Sequence, residues 1–181
     1  PSPVPAAFAI LHATVLTVSG PALLDTPVVI ESGMIAQVGG AVPPGIETID
    51  ATGQYLMPGL IDMHSHMGVY PWPGGTGSSD GNEAVEPFTP RVYSRDSFDP
   101  EDPALPRARA GGITTIQALP GSANLIGGQA VVLKLRPSRT VAGMSFPEAP
   151  RSIKMACGEN PKRVYGGDKD EDAVQTRMGE I

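Results

Sequence analysis

The stretch ATGQYLMPGLIDMHSHMG, residues 51–68, decides the fold. Pro58 and Gly59 interrupt it, and the apolar run that follows them ends in polar residues at His66. A nearly continuous apolar run is typical of a strand that is buried on both faces, as in a parallel sheet. We therefore predict a buried strand over residues 60–66, and active sites of parallel α/β folds form at the carboxyl ends of such strands.

The alternation of side chains along this strand gathers polar groups on one face. Side chains point to opposite faces with a period of two, so Asp62, His64 and His66 share a face. The two histidine α-carbons would lie about 6.5 Å apart, close enough for two ring nitrogens to reach one cation at roughly 2.0–2.1 Å. Imidazole binds zinc, nickel and iron, and Asp62 could orient one ring. The spacing predicts a metal site, although paired histidines that only bond backbone groups are the structural alternative.

Before this strand, the sequence has the pattern of short β-strands. Residues 7–18 and 26–31 are rich in β-branched side chains, and Met34–Val38 completes a hairpin whose turn needs the positive φ of Gly33. We predict a small antiparallel β domain of sandwich type over residues 1–56. His12 lies within its first strand, where we expect a structural role.

After this strand, residues 68–101 are dominated by Pro, Gly, Ser and acidic residues, which predicts an unusually long loop of the kind that forms lids. Tyr70 and Trp72 are expected at the mouth of a pocket. Asp102 is expected to cap a short helix that Gly111 ends. The residues after it predict strands over 113–119, 131–135 and 152–156, and a helix that begins at Glu171 and Asp172.

Two further segments have competing interpretations. Asn124 and the glycines of PGSANLIGG, residues 120–128, could bring backbone N–H groups to a substrate, or could simply form turns. Cys157 is expected to be a small buried residue rather than a nucleophile, because no histidine follows it in the sequence.

The composition excludes several classes of protein. Hydrophobic residues make up 40% and charged residues 18%, which fits a globular chain, and the net charge of -6 argues against nucleic-acid binding. A single cysteine cannot form an internal disulfide. No apolar run approaches the roughly 20 residues of a membrane helix, so we expect no membrane partner. The compartment stays open between the cytoplasm and export after removal of a leader.

The stretch 51–68 closely resembles the first barrel strand of the amidohydrolase superfamily, where a small β domain leads through a Pro-Gly turn into a His-x-His strand. The hairpin VVIESGMIAQVG, residues 28–39, resembles the small domain, and RARAGGITTIQALPG, residues 107–121, resembles the second strand and its approach. IKMACGENPKRVYG, residues 153–166, adds a further likeness. The resemblance, to imidazolonepropionase-like and prolidase-like members, implies an α/β fold: the first half of a (β/α)8 TIM-type barrel over residues 57–181, preceded by the small antiparallel β domain.

The same resemblance implies a metal centre. His64 and His66 would bind the more buried of one or two divalent metals, with zinc expected. Many members also use a lysine that carbon dioxide has carboxylated, and Lys154 takes that place by its position in IKMACG. Glu159 and Lys134 are the competing candidates for this third ligand.

The implied activity is hydrolysis of a carbon–nitrogen bond in an amide, lactam or dipeptide by a metal-activated water. A deaminase is the alternative within the family, and a non-catalytic homologue or fragment that serves as an interaction module is the alternative outside catalysis. The partners would be a small-molecule or peptide substrate and, in a homo-oligomer, further copies of the protein.

The sequence departs from the family pattern after His66, which is its last histidine. The superfamily completes its site with later histidines and with an aspartate that acts as general base, and a full barrel needs about 250 residues. We therefore expect this chain alone to be incomplete and inactive, with the remaining half of the barrel in the same or in a second polypeptide.

Overall fold

The computed structural model describes residues 6–146, 148–167 and 174–180. The chain divides between Pro58 and Gly59 into two compact units, each of which is described by itself.

The described part of the first unit, residues 6–58, contains six short strands. A four-stranded sheet has the order β4-β3-β1-β5, and β2 and β6 form a separate parallel pair. Small and branched side chains fill the core of this unit, among them Ala13, Val15, Val28 and Ala51. The strands are β1 (Ala7–Leu11), β2 (Thr14–Val15), β3 (Val28–Glu31), β4 (Met34–Val38), β5 (Glu47–Asp50) and β6 (Tyr55–Leu56).

The sheet of the first unit is mixed, so the prediction of a wholly antiparallel domain is wrong. β3 pairs antiparallel with both β1 and β4, whereas β5 pairs in parallel with β1. The β3–β4 hairpin occupies one edge of β1 and leaves its other edge open. The chain after β4 crosses to that open edge, and a strand that arrives by such a crossover runs parallel to its neighbour.

The predicted hairpin is confirmed, and the first predicted strand is shorter than expected. Ser32 and Gly33 both have positive φ, of 50° and 76°, which is the backbone of a tight turn whose twist matches the flanking strands. His12 also has a positive φ, of 63°, and this residue ends β1 at Leu11. Its Nδ1 lies 2.8 Å from Oδ1 of Asp25, so His12 has the structural role that the sequence predicted.

The second unit is built around a parallel pair of strands. β7 and β8 are parallel neighbours, and β10 pairs antiparallel with β8 to complete a three-stranded sheet, while β11 and β9 form a separate antiparallel pair. The elements are β7 (Leu60–Ser65), a 3-10 helix (Thr76–Ser78), α1 (Ser94–Ser97), α2 (Ala104–Ala110), β8 (Ile113–Ala118), β9 (Ile126–Gln129), β10 (Val131–Lys134), α3 (Val141–Met144), β11 (Ile153–Met155) and α4 (Glu159–Tyr165).

The apolar core of the second unit lies against the three-stranded sheet. Ile116 of β8 and Leu133 of β10 are fully buried, and Leu105 of α2 packs into the same cluster with Phe98 and Met144. The connection between β7 and β8 therefore includes a helix that buries its apolar residue against the sheet. This is the crossover that parallel strands require.

The prediction that the strand over residues 60–66 is buried on both faces is wrong for this chain. Leu60, Ile61 and Met63 are 49%, 64% and 68% exposed. β7 is an edge strand with β8 as its one neighbour in the sheet, so only part of its apolar surface is covered.

Three other expectations have distinct outcomes. The residues 126–129, interpreted as part of a glycine loop, form β9, because their backbone pairs with β11. The predicted helix start at Glu171 and Asp172 lies outside the described residues, and residues 174–180 contain bends and turns. Across the part of the chain that the structure describes, no helix is both long enough and apolar enough to cross a membrane.

Candidate metal centre

His64 and His66 project from β7 and its carboxyl end toward each other. The centroids of their rings lie 5.2 Å apart, and the ring planes meet at 84°. Both side chains therefore lie on the same side of the strand, as the period of two predicts. The structure brings these two predicted residues together.

The backbone after β8 orients the His66 ring. Its Nδ1 lies 2.9 Å from the carbonyl oxygen of Leu119, which can only accept a hydrogen bond. Nδ1 therefore carries a proton, and in the neutral ring Nε2 has the free lone pair. A neutral imidazole with one free lone pair is the form that binds a metal.

Lys154 of β11 contacts the His64 ring. Its Nζ lies 3.1 Å from Nε2 of His64, and its side chain is buried, with 9% of the residue exposed. An ammonium at Lys154 would donate to Nε2, whereas a neutral amine can either donate or accept. Asp62, which the sequence suggested as a partner for a ring, instead accepts a hydrogen bond from the backbone N–H of His64 at 3.0 Å.

The electrostatics of the cluster favour neutral groups. Burial lowers the pKa of Lys154, because an ammonium loses hydration inside the protein. The pKa of His64 is also lowered, chiefly by the positive charge of Lys154 and then by burial and by His66, while Asp62 acts in the opposite direction. Two imidazoles and a lysine whose ammonium form is disfavoured by burial are a donor set that fits a borderline divalent cation such as zinc.

Of the three candidates for the third ligand, only Lys154 contacts a histidine of the pair. Glu159 is exposed at the start of α4, and its carboxylate pairs with Lys162 at 2.8 Å. The Nζ of Lys134 lies 4.9 Å from the centre of the Phe146 ring. In residues 6–146, 148–167 and 174–180, no group of three His, Cys, Asp or Glu side chains is arranged to hold a metal.

Asp102 has a role that the sequence only partly indicated. It caps α2 as predicted, since its Oδ1 accepts from the backbone N–H of Ala104 at 2.8 Å. The same buried carboxylate accepts from the backbone N–H of Gly68 at 2.9 Å and of Trp72 at 3.1 Å. It therefore anchors the segment that follows His66. The sequence pattern identified the cap, but the contacts with residues 34 and 30 positions away depend on tertiary structure.

The side chain of Asn124 supports the long loop over residues 68–101. Its side chain is fully buried, and its Nδ2 donates to the carbonyl oxygens of Glu83 and Glu86 and to the hydroxyl of Thr89. Three acceptors around one amide nitrogen hold residues 83–89 against the turn after β8. Asn124 is thus a structural residue in the described fold.

Two aromatic residues after His66 differ in what they contact. The Tyr70 ring lies 5.8 Å from the His66 ring at an angle of 81°. Trp72 is exposed and packs under the guanidinium of Arg107 at 4.4 Å.

Cys157, expected to be buried, is exposed, because it follows the last residues of β11 in an open segment.

Comparisons with known proteins identify the family. Amidohydrolase tasK of Hapsidospora irregularis is 42% identical in an alignment of 167 residues that covers 84% of this chain and 17% of tasK. A D-hydantoinase of Ralstonia pickettii is 43% identical over 58 residues, 32% of this chain and 12% of that enzyme. The crystal structure of an amidohydrolase from Thermotoga maritima MSB8 matches 96% of this chain with a TM-score of 0.86 and 42% identity.

The chain spans less than half the length of each of these relatives, 44% in the case of the Thermotoga maritima structure. No protein-family model matches it. The identity to tasK and to the Thermotoga maritima amidohydrolase nevertheless extends over most of this chain, far beyond the His-x-His strand. The chain belongs to the amidohydrolase superfamily.

Proposed function

We propose that this protein is a metal-dependent hydrolase of carbon–nitrogen bonds, in which His64 and His66 bind the metal. The observation that carries the proposal is the convergence of the two rings, with Nδ1 of His66 bonded to Leu119 and Nε2 of His64 beside Nζ of Lys154. In the neutral form, two imidazoles on one side of a strand can share a cation. When bound, a divalent ion, for which zinc is the expected identity, supplies a coordinated water of lowered pKa and polarises the substrate carbonyl.

Lys154 is proposed as the third ligand after carboxylation. The neutral amine attacks carbon dioxide, a nitrogen–carbon bond forms, and one proton passes to water, which leaves a carbamate with two ligand oxygens. Burial favours this step because it lowers the pKa of the amine. The position of Nζ beside His64 supports a carbamate that shares the site with the two imidazoles.

Other residues of the chain position the two histidines in this proposal. The carbonyl oxygen of Leu119 accepts a hydrogen bond from the His66 ring, and the carboxylate of Asp62 accepts one from the backbone N–H of His64. Asp102 fixes the chain just after the second ligand. We assign no general base to a residue of this chain.

A cyclic amide is the substrate class that we propose. The relatives named amidohydrolase and hydantoinase act on carbon–nitrogen bonds of amides, and a hydantoin is a cyclic amide. Hydrolysis of such a ring breaks the bond between the carbonyl carbon and the ring nitrogen, and water supplies the hydroxyl and the proton. The loop over residues 68–101 is the proposed source of specificity, because loops at strand ends determine substrate choice in this type of fold.

Zinc titration of the metal-free protein tests the metal site. We expect stoichiometric binding that is weakened at least tenfold in His64→Ala and in His66→Ala. His12→Asn is the matched control: it removes the remaining histidine, and asparagine tolerates the positive φ at this position. Equal zinc binding by the wild type and the two alanine variants would overturn the proposal.

An activity assay tests the reaction. The zinc-loaded complete enzyme, which includes this chain and the remaining half of the barrel, is incubated with hydantoin and, separately, with a linear N-acyl amino acid, and ring opening or release of the free amino acid is followed. We expect faster turnover of the cyclic amide. Turnover of the linear substrate alone would contradict the substrate class, and turnover that persists after chelation would contradict metal dependence.

A further inference from the structure

We propose that Tyr70, held in place by Asn82, is a positioning residue that fixes the plane of the His66 imidazole. This inference rests on the proposed function for its purpose, since an oriented ring matters most when it binds a metal. The orientation itself is a property of the metal-free protein and is tested there.

The contact between the two rings is edge to face. Tyr70 lies four residues after His66, its backbone N–H donates to the His66 carbonyl at 3.0 Å, and its ring lies 5.8 Å from the imidazole. The hydrogen bond to Leu119 restrains only one edge of the imidazole. The phenol ring restrains the plane, because a rotation about the Cβ–Cγ bond would drive the imidazole into it.

Asn82 holds the far end of the tyrosine. Its Nδ2 donates to the Tyr70 hydroxyl, and its Oδ1 accepts from the backbone N–H of Ala123 at 3.0 Å. Asn82 therefore links the tyrosine to the turn that follows β8. This turn is continuous with Leu119, so both restraints on His66 derive from the same segment of backbone.

Two glycines make room for this arrangement. A Cβ on Gly81 would overlap the Tyr70 ring, and a Cβ on Gly121 would overlap the Asn82 amide and the Tyr70 hydroxyl. The backbone N–H of Gly121 also donates to the carbonyl oxygen of Gly81 at 2.6 Å. The two loops thus approach each other as closely as backbones without side chains allow.

Asp102 fixes the base of the same segment. Its carboxylate binds the backbone N–H groups of Gly68 and Trp72, which flank Tyr70 on either side. The backbone on either side of Tyr70 is therefore held by a buried carboxyl group, and the Tyr70 hydroxyl is held by an amide. Because Tyr70 is itself restrained, its ring can limit the rotation of the His66 imidazole.

Nitrogen-15 NMR of the histidine rings in the metal-free protein tests the inference directly. In the wild type we expect His66 with its proton on Nδ1 and one ring orientation. In Tyr70→Leu we expect a mixture of tautomers and about tenfold faster exchange of the Nδ1 proton with solvent, because the bond to Leu119 opens more often. Tyr93→Leu is the control, since Tyr93 packs under Arg95 instead of against a histidine.

Tyr70→Phe and Asn82→Ala provide the test if Tyr70→Leu does not fold. Tyr70→Phe removes the hydrogen bond to Asn82, and Asn82→Ala removes the same bond together with the one from Ala123. Both leave the tyrosine-type ring, so we expect a smaller effect on the His66 tautomer than in Tyr70→Leu. Their combination should change the spectrum no further than Asn82→Ala alone. An unchanged His66 tautomer and exchange rate in these variants would overturn the inference.

Zinc affinity separates this inference from the proposed function. We expect the dissociation constant to rise about 10-fold to 100-fold in Tyr70→Leu, the range observed when groups that orient metal ligands are removed. If wild-type protein binds no zinc, the proposed function fails while the tautomer measurement still decides the role of Tyr70. If the wild type binds zinc and Tyr70→Leu binds it equally well, the inference fails and the metal site stands.

Discussion

The side-chain nitrogen of Lys154 lies 3.1 Å from Nε2 of His64, although 90 residues separate them in the chain. β7 and β11 belong to different sheets of the second unit, so this contact joins two parts of the fold that share no backbone ladder. A buried ammonium beside an imidazole is unfavourable when both are charged. Removal of either side chain should therefore change the pKa of the other.

Replacement of Lys154 by methionine should raise the pKa of His64 in the metal-free protein. The positive charge of Lys154 is the largest cause of the lowered pKa, and without it the imidazole can protonate more easily. Histidine signals in an NMR titration measure the change. Lys134→Met is the control, because Lys134 contacts Phe146 instead of His64. A downward shift in Lys154→Met, or the same shift in both variants, would contradict this electrostatic account.

Carboxylation of Lys154 should be detectable with carbon-13 bicarbonate. We expect a carbamate signal in zinc-loaded protein that is absent from Lys154→Gln and present in Lys134→Gln. Because the reaction needs the neutral amine, the signal should increase as the pH rises toward the lowered pKa of Lys154. A signal retained in Lys154→Gln would assign the carbamate to another lysine.

The sequence predicted the placement of His64 and His66 well and that of the groups around them less well. The period of two along β7 was sufficient to place His64 and His66 on one side, because that alternation is a local property of any strand. Lys154 could be named only through the family resemblance, since the 90 residues between it and His64 give no local signal. Asn82 was not predicted, because its contacts with Tyr70 and Ala123 exist only after two loops meet.

In the fold, too, features set by local sequence could be predicted, and features set by distant contacts could not. The Ser32-Gly33 turn followed from its residues, whereas the parallel pairing of β5 with β1 depends on which sheet edge remains open. The exposure of Ile61 and Met63 could not be inferred from their apolar character. Burial depends on the neighbours that a strand has, and hydrophobicity alone does not specify them.

Asp102→Asn should lower the free energy of unfolding by about 2–4 kcal/mol. Bonds from backbone N–H groups to a charged acceptor contribute roughly 1.5–3 kcal/mol each, and the amide presents one oxygen where the carboxylate presents two. Urea unfolding of the metal-free protein measures the effect. Asp96→Asn, at an exposed position in α1, should change the stability by less than about 0.5 kcal/mol. A similar loss in both variants would show that Asp102 has no special role.

The turn between β3 and β4 offers a stabilising change. Ser32 has a φ of 50°, and asparagine followed by glycine is the preferred pair in such a turn. Ser32→Asn should therefore raise the free energy of unfolding by about 0.5 kcal/mol, while Ser32→Val, with a β-branched side chain at positive φ, should lower it by about 1 kcal/mol. Thermal unfolding of the two variants, compared with the wild type, measures both the predicted gain and the predicted loss of stability. Stabilisation by valine would show that this turn has a different backbone in solution.

Gly121→Ala should weaken zinc binding without touching a metal ligand. The added methyl group overlaps Asn82 and the Tyr70 hydroxyl, so the link between them must open and the restraint on His66 is lost. We expect about tenfold weaker zinc binding, and a free energy of unfolding lowered by about 1–3 kcal/mol, as for other overpacked sites. Gly77→Ala is the matched control, because a Cβ there meets open space. Weaker zinc binding in Gly121→Ala with an unchanged His66 tautomer would mean that the methyl group acts on the metal site by a route other than Tyr70.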